Sequence, residues 1–193
     1  VTTISTVTDR DLWRSACNGQ PQDFGLIFDR HGTTVYNHLA RRTDSWSTAE
    51  DITSVVFLEA WRRRADIELV HDSALPWLLG VANKVVQQRR RSVRRHREAL
   101  NRLPPGLVEP DPADEVVARL DGELKAQQVL AAFRRLPTRD QDVIALCVWQ
   151  GLDYAAAAVA LGVPIGTVRS RLSRARTRLA DLSDLHPVRE EQS

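Results

Sequence analysis

Apolar residues recur along this chain at three- and four-residue intervals, the spacing of one face of an α-helix, and strand-like alternation is nearly missing. Thr8-Asp9-Arg10-Asp11 opens a first short helix that stops near Asn18-Gly19. A second helix runs from about Pro21 or Asp23 to Arg42, with Phe24, Ile27, Phe28, Val35 and Leu39 as its apolar positions. Ser47-Thr48-Ala49-Glu50 matches a capping box, in which a serine side chain and a glutamate three residues on satisfy each other's free amides. The helix it starts carries Ile52, Val55, Val56, Phe57, Leu58 and Trp61 and ends in Arg62-Arg63-Arg64, cations that suit a helix C-terminus. His71 to Leu75 reads as a loop, and Pro76 fits the first turn of a long helix through about Arg102.

The pattern then breaks. LPPGLVEPDPADE (103–115) holds four prolines and four acids, so no helix or strand persists through it. Helical spacing returns near 115–136, 139–150, 153–161 and 165–180, with a second capping-box pattern at Thr138 and Gln141 and a helix-ending Gly151. The tail from Asp181 is polar. The fold class is therefore all-α: two small helical domains joined by a Pro/acid-rich linker. The expected division is 1–102, a linker over 103–118, a second domain over 119–182 and a tail over 183–193.

Composition narrows the classes. With 193 residues, 42% of them apolar and 27% charged, the chain can bury a core in one or two small domains. No apolar run approaches a bilayer span, and the start of the chain carries no basic-then-apolar secretory pattern, so no membrane insertion and a cytoplasmic location are expected. Cys17 and Cys147 stand far apart, which gives neither a disulfide framework nor a metal cluster. The net charge of +2 hides an uneven distribution. Residues 84–102 hold eight basic side chains and one acid; residues 169–178 hold five arginines and no acid; the segments 1–83, 103–128 and 179–193 are all net acidic. Two compact cationic blocks on a largely acidic chain suggest two contact points with a polyanion.

The sharper of the two blocks lies within 153–178, DYAAAAVALGVPIGTVRSRLSRARTR. Ala157-Ala158 permit two helices to cross closely, Gly162 sits where a tight turn needs positive φ, and Pro164 separates the two helices. On the second helix Val168, Leu172, Ala175 and Leu179 form a buried stripe. The opposite face carries Ser170, Ser173, Arg174 and Thr177, flanked by Arg169, Arg171, Arg176 and Arg178. That is the chemistry of a recognition helix, with short polar groups and an arginine toward base edges and cations toward phosphates; the plainer alternative is a basic amphipathic helix with a solvated face. The other block ends PWLLGVANKVVQQRRRSVRRHR (76–97), a helix able to pack by its first half and lie along phosphates with its second. Trp77, just after the polar loop, is placed either to stack on an unpaired base or to pack in the core.

Three segments together resemble the extracytoplasmic-function (ECF) sigma factors, two-domain bacterial transcription initiation factors. AEDITSVVFLEAWR (49–62) is similar to the family's polymerase-binding helix, SALPWLLGVANKVVQQRRR (73–91) to its promoter-melting segment, and LPTRDQDVIALCVWQGLDYAAAAVALGVPIGTVRSRLSRAR (136–176) to its helix-turn-helix domain. The resemblance implies RNA polymerase core (clamp coiled coil and flap) and promoter DNA as partners, and leaves room for an anti-sigma factor. Asp51, Ile52, Phe57, Leu58, Trp61 and Arg62 match the clamp-binding helix. His71, Asp72, Ser73, Trp77, Asn83 and Lys84 match the segment that captures the opened minus-ten element, with Arg89, Arg90, Arg91, Arg94 and Arg95 along its backbone. Arg169, Ser170, Arg171, Ser173, Arg174 and Arg176 match the minus-thirty-five reader. The linker, by the same resemblance, threads toward the polymerase active-site and RNA-exit path.

The chain departs from the family at three places. Ser54-Val55 replaces a common Gln-Glu; a base-pocket Asn falls at Lys84, with Asn83 one position before; and Ala156-Ala157 replaces Glu-Ile in the first helix of the helix-turn-helix. No appended regulatory module is expected. The resemblance implies no cofactor, no metal and no catalytic residue, since chemistry stays with the polymerase. The alternative from another class is a stand-alone helix-turn-helix regulator that binds duplex DNA without polymerase. An enzymatic reading fares worse: Glu50, Asp51, His31, His38 and His71 show no ligand spacing on one helix face, and there is no Gly-rich phosphate loop.

Overall fold

The computed structural model describes residues 7–43, 45–69, 71–100 and 124–184, and among these every regular element is helical. The expected linker over 103–118, the residues up to 123 and the tail beyond 184 lie outside the described residues. The chain divides into two compact units, Val1–Val116 and Val117–Ser193.

In the first unit α1 (Asp9–Cys17) starts at a reciprocal cap: Thr8 Oγ1 accepts the Asp11 N–H at 3.2 Å, and the Asp11 carboxylate accepts the Thr8 N–H at 3.3 Å. Helix α2 (Gln22–Ala40) follows, then α3 (Trp46–Arg63). The cap expected at Ser47 does not form. Ser45 is the extended residue before the helix, and its Oγ accepts the Thr48 N–H at 3.1 Å. The helix therefore begins with Trp46, two residues earlier than a cap at Ser47 would give; the Trp46 ring stacks on Tyr36 with centroids 6.2 Å apart, and Ser47 and Glu50 are exposed side chains within the helix. A 3₁₀ turn, Arg64–Asp66, leads out of α3. Helix α4 (Leu75–Leu100) places Pro76 in its first turn, where the missing N–H costs no hydrogen bond.

These four helices bury Leu12, Ile27, Val35, Leu39, Val56, Leu78, Leu79 and Ala82. An aromatic chain ties all four together: Trp13 meets Phe24 at 5.8 Å and Trp77 at 5.6 Å, and Phe24 meets Trp61 at 5.3 Å. Three positions expected on the buried faces are instead half exposed, namely Phe28, Val55 and Leu58. The apolar stripe of α3 is narrower than its sequence suggests: Ile52, Val56, Phe57 and Ala60 fill the core and leave the other two outside.

In the second unit α5 (Leu124–Arg135), α6 (Thr138–Ile144), α7 (Tyr154–Leu161) and α8 (Ile165–Asp184) surround Phe133, Leu136, Val143, Ile144, Leu172 and Ala175. The capping box expected at Thr138 and Gln141 is absent. Pro137 precedes the helix, Thr138 is already helical, and the Gln141 amide donates to the Arg134 and Leu136 carbonyls at 3.1 and 2.9 Å. Gln141 thus closes the end of α5 rather than the start of α6. The helix expected over 139–150 finishes in a π-helical turn, Ala145–Trp149, with the Gln150 N–H reaching back to the Ala145 carbonyl. That wider turn sets Trp149 against Phe133, ring centroids 4.2 Å apart.

Candidate nucleic-acid and polymerase interfaces

The geometry of α7 and α8 follows from small residues and one left-handed glycine. Asp153 caps α7 by accepting the Ala156 N–H at 2.7 Å. Ala157 is fully buried and Ala158 nearly so, which brings the two helices close. Gly162 ends α7 at φ +63°, a conformation that penalises any side chain, and the Val163 N–H closes the turn on the Ala158 carbonyl at 3.1 Å. Pro164 then offers its carbonyl to the Thr167 and Val168 amides, starting α8. Val168, Leu172 and Ala175 point inward as the spacing predicts, with Leu179 partly buried beyond them.

The outward face of α8 presents Arg169, Ser170, Ser173, Arg174, Arg176 and Thr177, all exposed. The Ser170 hydroxyl rests on the Thr167 carbonyl at 3.1 Å, and the Arg174 Nε donates to the Ser170 carbonyl at 3.2 Å, so this contact does not use the donors of its terminal guanidinium nitrogens. The Arg169 guanidinium lies 5.9 Å from the centre of the Tyr154 ring. Arg171 is only half exposed. Arg178 belongs to the packing: it pairs with the buried carboxylate of Asp140, joining the far end of α8 to the first turn of α6.

The long α4 sorts its cations onto two sides. Lys84, Gln87, Gln88, Arg91, Arg94 and Arg95 line one open groove along a single face. Arg94 pairs with Glu98 at 3.5 Å one turn on. Arg89 and Arg90 turn toward the bundle instead. Arg89 donates to Thr48 Oγ1 at 3.4 Å, and Arg90 donates to the Arg42 carbonyl at 2.9 Å, tying α4 to the end of α2 and the start of α3.

Asn83 is corrected by its burial. At 2% exposure it lies in the core, its Oδ1 accepting from His38 Nε2 at 2.9 Å and from Arg42 at 2.6 Å, so it does not reach an external base. Because an arginine can only donate, this contact fixes which end of the Asn83 amide is oxygen. Burial, then the nearby Arg42 and Arg41 charges, push the His38 pKa down to about 3 against a raising hydrogen bond from Asn83. His38 is therefore a neutral core residue. Trp77 is half-buried and packed edge-on against Trp13, so its ring is already engaged with the core.

The loop before α4 is held by a residue that the spacing of motifs does not reveal. Asp9 is buried, and its Oδ2 accepts the Ala74 N–H at 2.9 Å while its own N–H donates to the Asp72 carbonyl at 3.1 Å. Arg30 and His31 of α2 hold the same carboxylate, at 2.9 and 2.5 Å. Burial alone would raise this acid, but the bonds from His31, the Ala74 amide and Arg30 hold it well below the usual carboxylate range. Around this anchor His71 is half-buried, Ser73 Oγ accepts the Leu75 N–H at 3.2 Å, and the exposed Asp72 pairs with Arg10 at 3.4 Å. Asp9 lies 65 residues from Ala74, so only the folded chain shows the link.

On α3, Asp51, Val55, Leu58 and Arg62 share one exposed face at intervals of four, three and four. Ile52 and Phe57, expected among the contact residues, face the core instead, and Trp61 is half-buried against Phe24 with the Arg64 guanidinium 3.6 Å from its ring centre. Among the described residues no group of His, Cys, Asp and Glu is placed to hold a metal ion, and no helix is long and apolar enough to cross a membrane.

A helix-turn-helix unit whose second helix carries five arginines and no acid over 169–178, together with a separate helical unit that has its own basic groove, defines a DNA-binding transcription protein. Comparison with known proteins specifies the kind. Sigma-70 region 2 matches residues 27–96, and Sigma-70 region 4 matches residues 126–179. The ECF RNA polymerase sigma factor BldN of Streptomyces coelicolor is 31% identical over 174 residues, covering 89% of this chain and 64% of its own length. The chain thus spans 64% of that relative. The ECF RNA polymerase sigma factor SigL of Mycobacterium tuberculosis is 32% identical over 149 residues, covering 76% of this chain and 80% of its own. Among solved structures, the sigma factor RpoE in complex with the anti-sigma factor NepR, from Bartonella quintana, shares the fold at a TM-score of 0.67 and 23% identity, covering 86% of this chain and 99% of that one. The chain belongs to the ECF RNA polymerase sigma factors. Sigma factors are transcription initiation factors that direct RNA polymerase to specific promoters.

Proposed function

We infer that the two units divide promoter recognition between them. The second unit reads the minus-thirty-five element as duplex through Arg169, Ser170, Ser173 and Arg174, with Arg171 and Arg176 toward the flanking phosphates. The first unit captures the opened minus-ten element with the loop His71 to Ser73 and runs its backbone along Lys84, Arg91, Arg94 and Arg95. Arg89 and Arg90 support that face by fixing α4 to the bundle. The polymerase clamp docks on the exposed face of α3, at Asp51, Val55, Leu58 and Arg62, and the flap takes the second unit. Ile52, Phe57 and Trp61 shape the docking helix from inside. In this scheme the protein works in the cytoplasm beside the polymerase, and an anti-sigma factor is a natural further partner, as the anti-sigma factor NepR is in the complex with RpoE.

The observation that carries the reading is the pair of cationic faces, one on a helix-turn-helix and one on a separate unit, matched by the exposed α3 face on which Val55 and Leu58 stand nearly half accessible between Asp51 and Arg62. A stand-alone regulator needs only the first of these. The test is reconstituted transcription from a fragmented genomic template with purified core polymerase and this chain, mapping the transcript starts. The expected result is a set of starts that require both proteins and share two upstream elements. No starts, with specific duplex binding by the chain alone, would overturn the division of labour.

A further inference from the structure

The loop that precedes α4 has no regular structure of its own, yet two of the four backbone positions His71–Ala74 are tied to one buried residue on another helix, one through its side chain and one through its backbone N–H. The Asp9 carboxylate takes the Ala74 N–H at 2.9 Å, and the Asp9 N–H holds the Asp72 carbonyl at 3.1 Å. Next to it Arg10 pairs with the Asp72 side chain at 3.4 Å. The carboxylate is fixed from behind by α2: Arg30 reaches one oxygen at 2.9 Å and His31 the other at 2.5 Å, and the same Arg30 nitrogen also donates to the Val7 carbonyl. One acid therefore joins α1, α2 and the loop.

We propose that Asp9 is a positioning residue for minus-ten recognition, setting the shape of the His71–Leu75 loop before DNA arrives. The proposal rests on the reading of that loop as the base-capturing element. A loop that receives an extruded base gains selectivity when its backbone is already in the receiving shape, because no ordering cost is then charged against binding. A short loop of polar residues does not hold one shape by itself; charge-assisted bonds to a buried carboxylate do hold it. The chemistry is specific to an acid. Three donors converge on Asp9, from Arg30, His31 and the Ala74 amide. A neutral amide offers a single acceptor oxygen and puts two N–H groups among those donors, so Asp9→Asn leaves the cluster mismatched at nearly unchanged size. The exposed side chains of the loop would then be presented by a backbone without its anchor.

The test uses holoenzyme on the promoter that the mapped starts define, with single-stranded minus-ten oligonucleotides differing at one base. Asp9→Asn should flatten the base preference by about tenfold, the order of one well-made base contact. Affinity for core polymerase and for the minus-thirty-five duplex should stay within about twofold, because neither assigned surface includes a residue of the Asp9 cluster. A general loss of folding would move all three. His71→Ala and Ser73→Ala separate the two levels of the argument. If they abolish the preference while Asp9→Asn retains it, the anchoring role is wrong and the loop still reads the base. If none of the three alters the preference, the loop does not read the base and the proposal falls with that assignment. Should Asp9→Asn fail to fold, hydrogen exchange on the wild-type chain decides: a strongly protected Ala74 amide supports the anchor, and exchange at the rate of an open loop overturns it.

Discussion

His38 shows how one buried side chain sets a pH dependence for a whole unit. The folded state keeps it neutral down to about pH 3, because burial and the charges of Arg42 and Arg41 outweigh the Asn83 hydrogen bond. In the unfolded chain the same imidazole titrates near its ordinary value of 6.5. Between those two values the unfolded chain binds one proton more than the folded one, so stability falls as pH falls, by about 1.4 kcal/mol per pH unit. Asp9 contributes in a lower window: its folded pKa is depressed, so its stabilisation is present above the ordinary carboxylate value of 3.8 and is lost as pH drops below that. Urea unfolding of the first unit, followed through its tryptophans at pH 6.5 and pH 5, therefore isolates His38. The wild type should lose about 1.6 kcal/mol more over this interval than His38→Gln, which keeps a donor toward Asn83 and cannot titrate. Equal losses would mean that His38 is protonated in the folded unit.

Helix α3 separates packing from contact within a single stretch of sequence. Phe57 and Leu58 are neighbours in the chain, both large and apolar, and both match the clamp-binding helix of the family, yet Phe57 is 5% exposed and Leu58 is 47% exposed. Phe57→Ala should therefore act through the core, costing about 3–5 kcal/mol of stability and polymerase binding only as a consequence. Leu58→Asp should do the reverse, lowering core-polymerase affinity in a direct binding assay while the melting temperature stays close to wild type. If Leu58→Asp binds normally, the face Asp51, Val55, Leu58 and Arg62 is not the docking surface. The helix also shows what periodicity makes legible and what it does not. The existence of α1 to α4 and α6 to α8, the turn at Gly162 and the inward stripe Val168, Leu172 and Ala175 follow from spacing and from glycine and proline placement. The cap of α3 at Ser45 rather than Ser47 does not, because two serines two residues apart are equally able to cap, and the stacking of Trp46 on Tyr36 is a tertiary contact. Likewise Gln141 looks like half of a capping box, but the free carbonyls of Arg134 and Leu136 lie close enough to take its amide. Asp9, His38 and Asp140 read as helix residues without distinction; their roles depend on partners 21 to 65 residues away.

For the molecule as a whole, the formal charge of +2 conceals two different electrostatic jobs. The face of α8 sets short polar groups and Arg174 among cations, a surface able to discriminate bases, whereas the groove of α4 offers Lys84, Arg91, Arg94 and Arg95 with only Gln87 and Gln88 between them, a surface for backbone. The two faces should therefore fail in different ways. Arg174→Ala should cost about 1–3 kcal/mol at one base step of the minus-thirty-five element and relax discrimination there, with little change in salt dependence if its contact is to a base edge. Replacing Arg91, Arg94 and Arg95 together by Gln should weaken holoenzyme binding to every promoter by a similar factor. It should also reduce the slope of log K against log salt by up to about 2–3, since each phosphate contact on duplex or single strand contributes roughly 0.7–0.9 to that slope. Arg94 already pairs with Glu98, so its share should be the smallest of the three. Titrating promoter affinity across salt concentrations for both variants distinguishes the roles. A triple variant that changed which promoters are chosen, with an unaltered salt slope, would show that α4 reads sequence and would move the base-specific part of minus-ten recognition from the Asp9-anchored loop onto the helix.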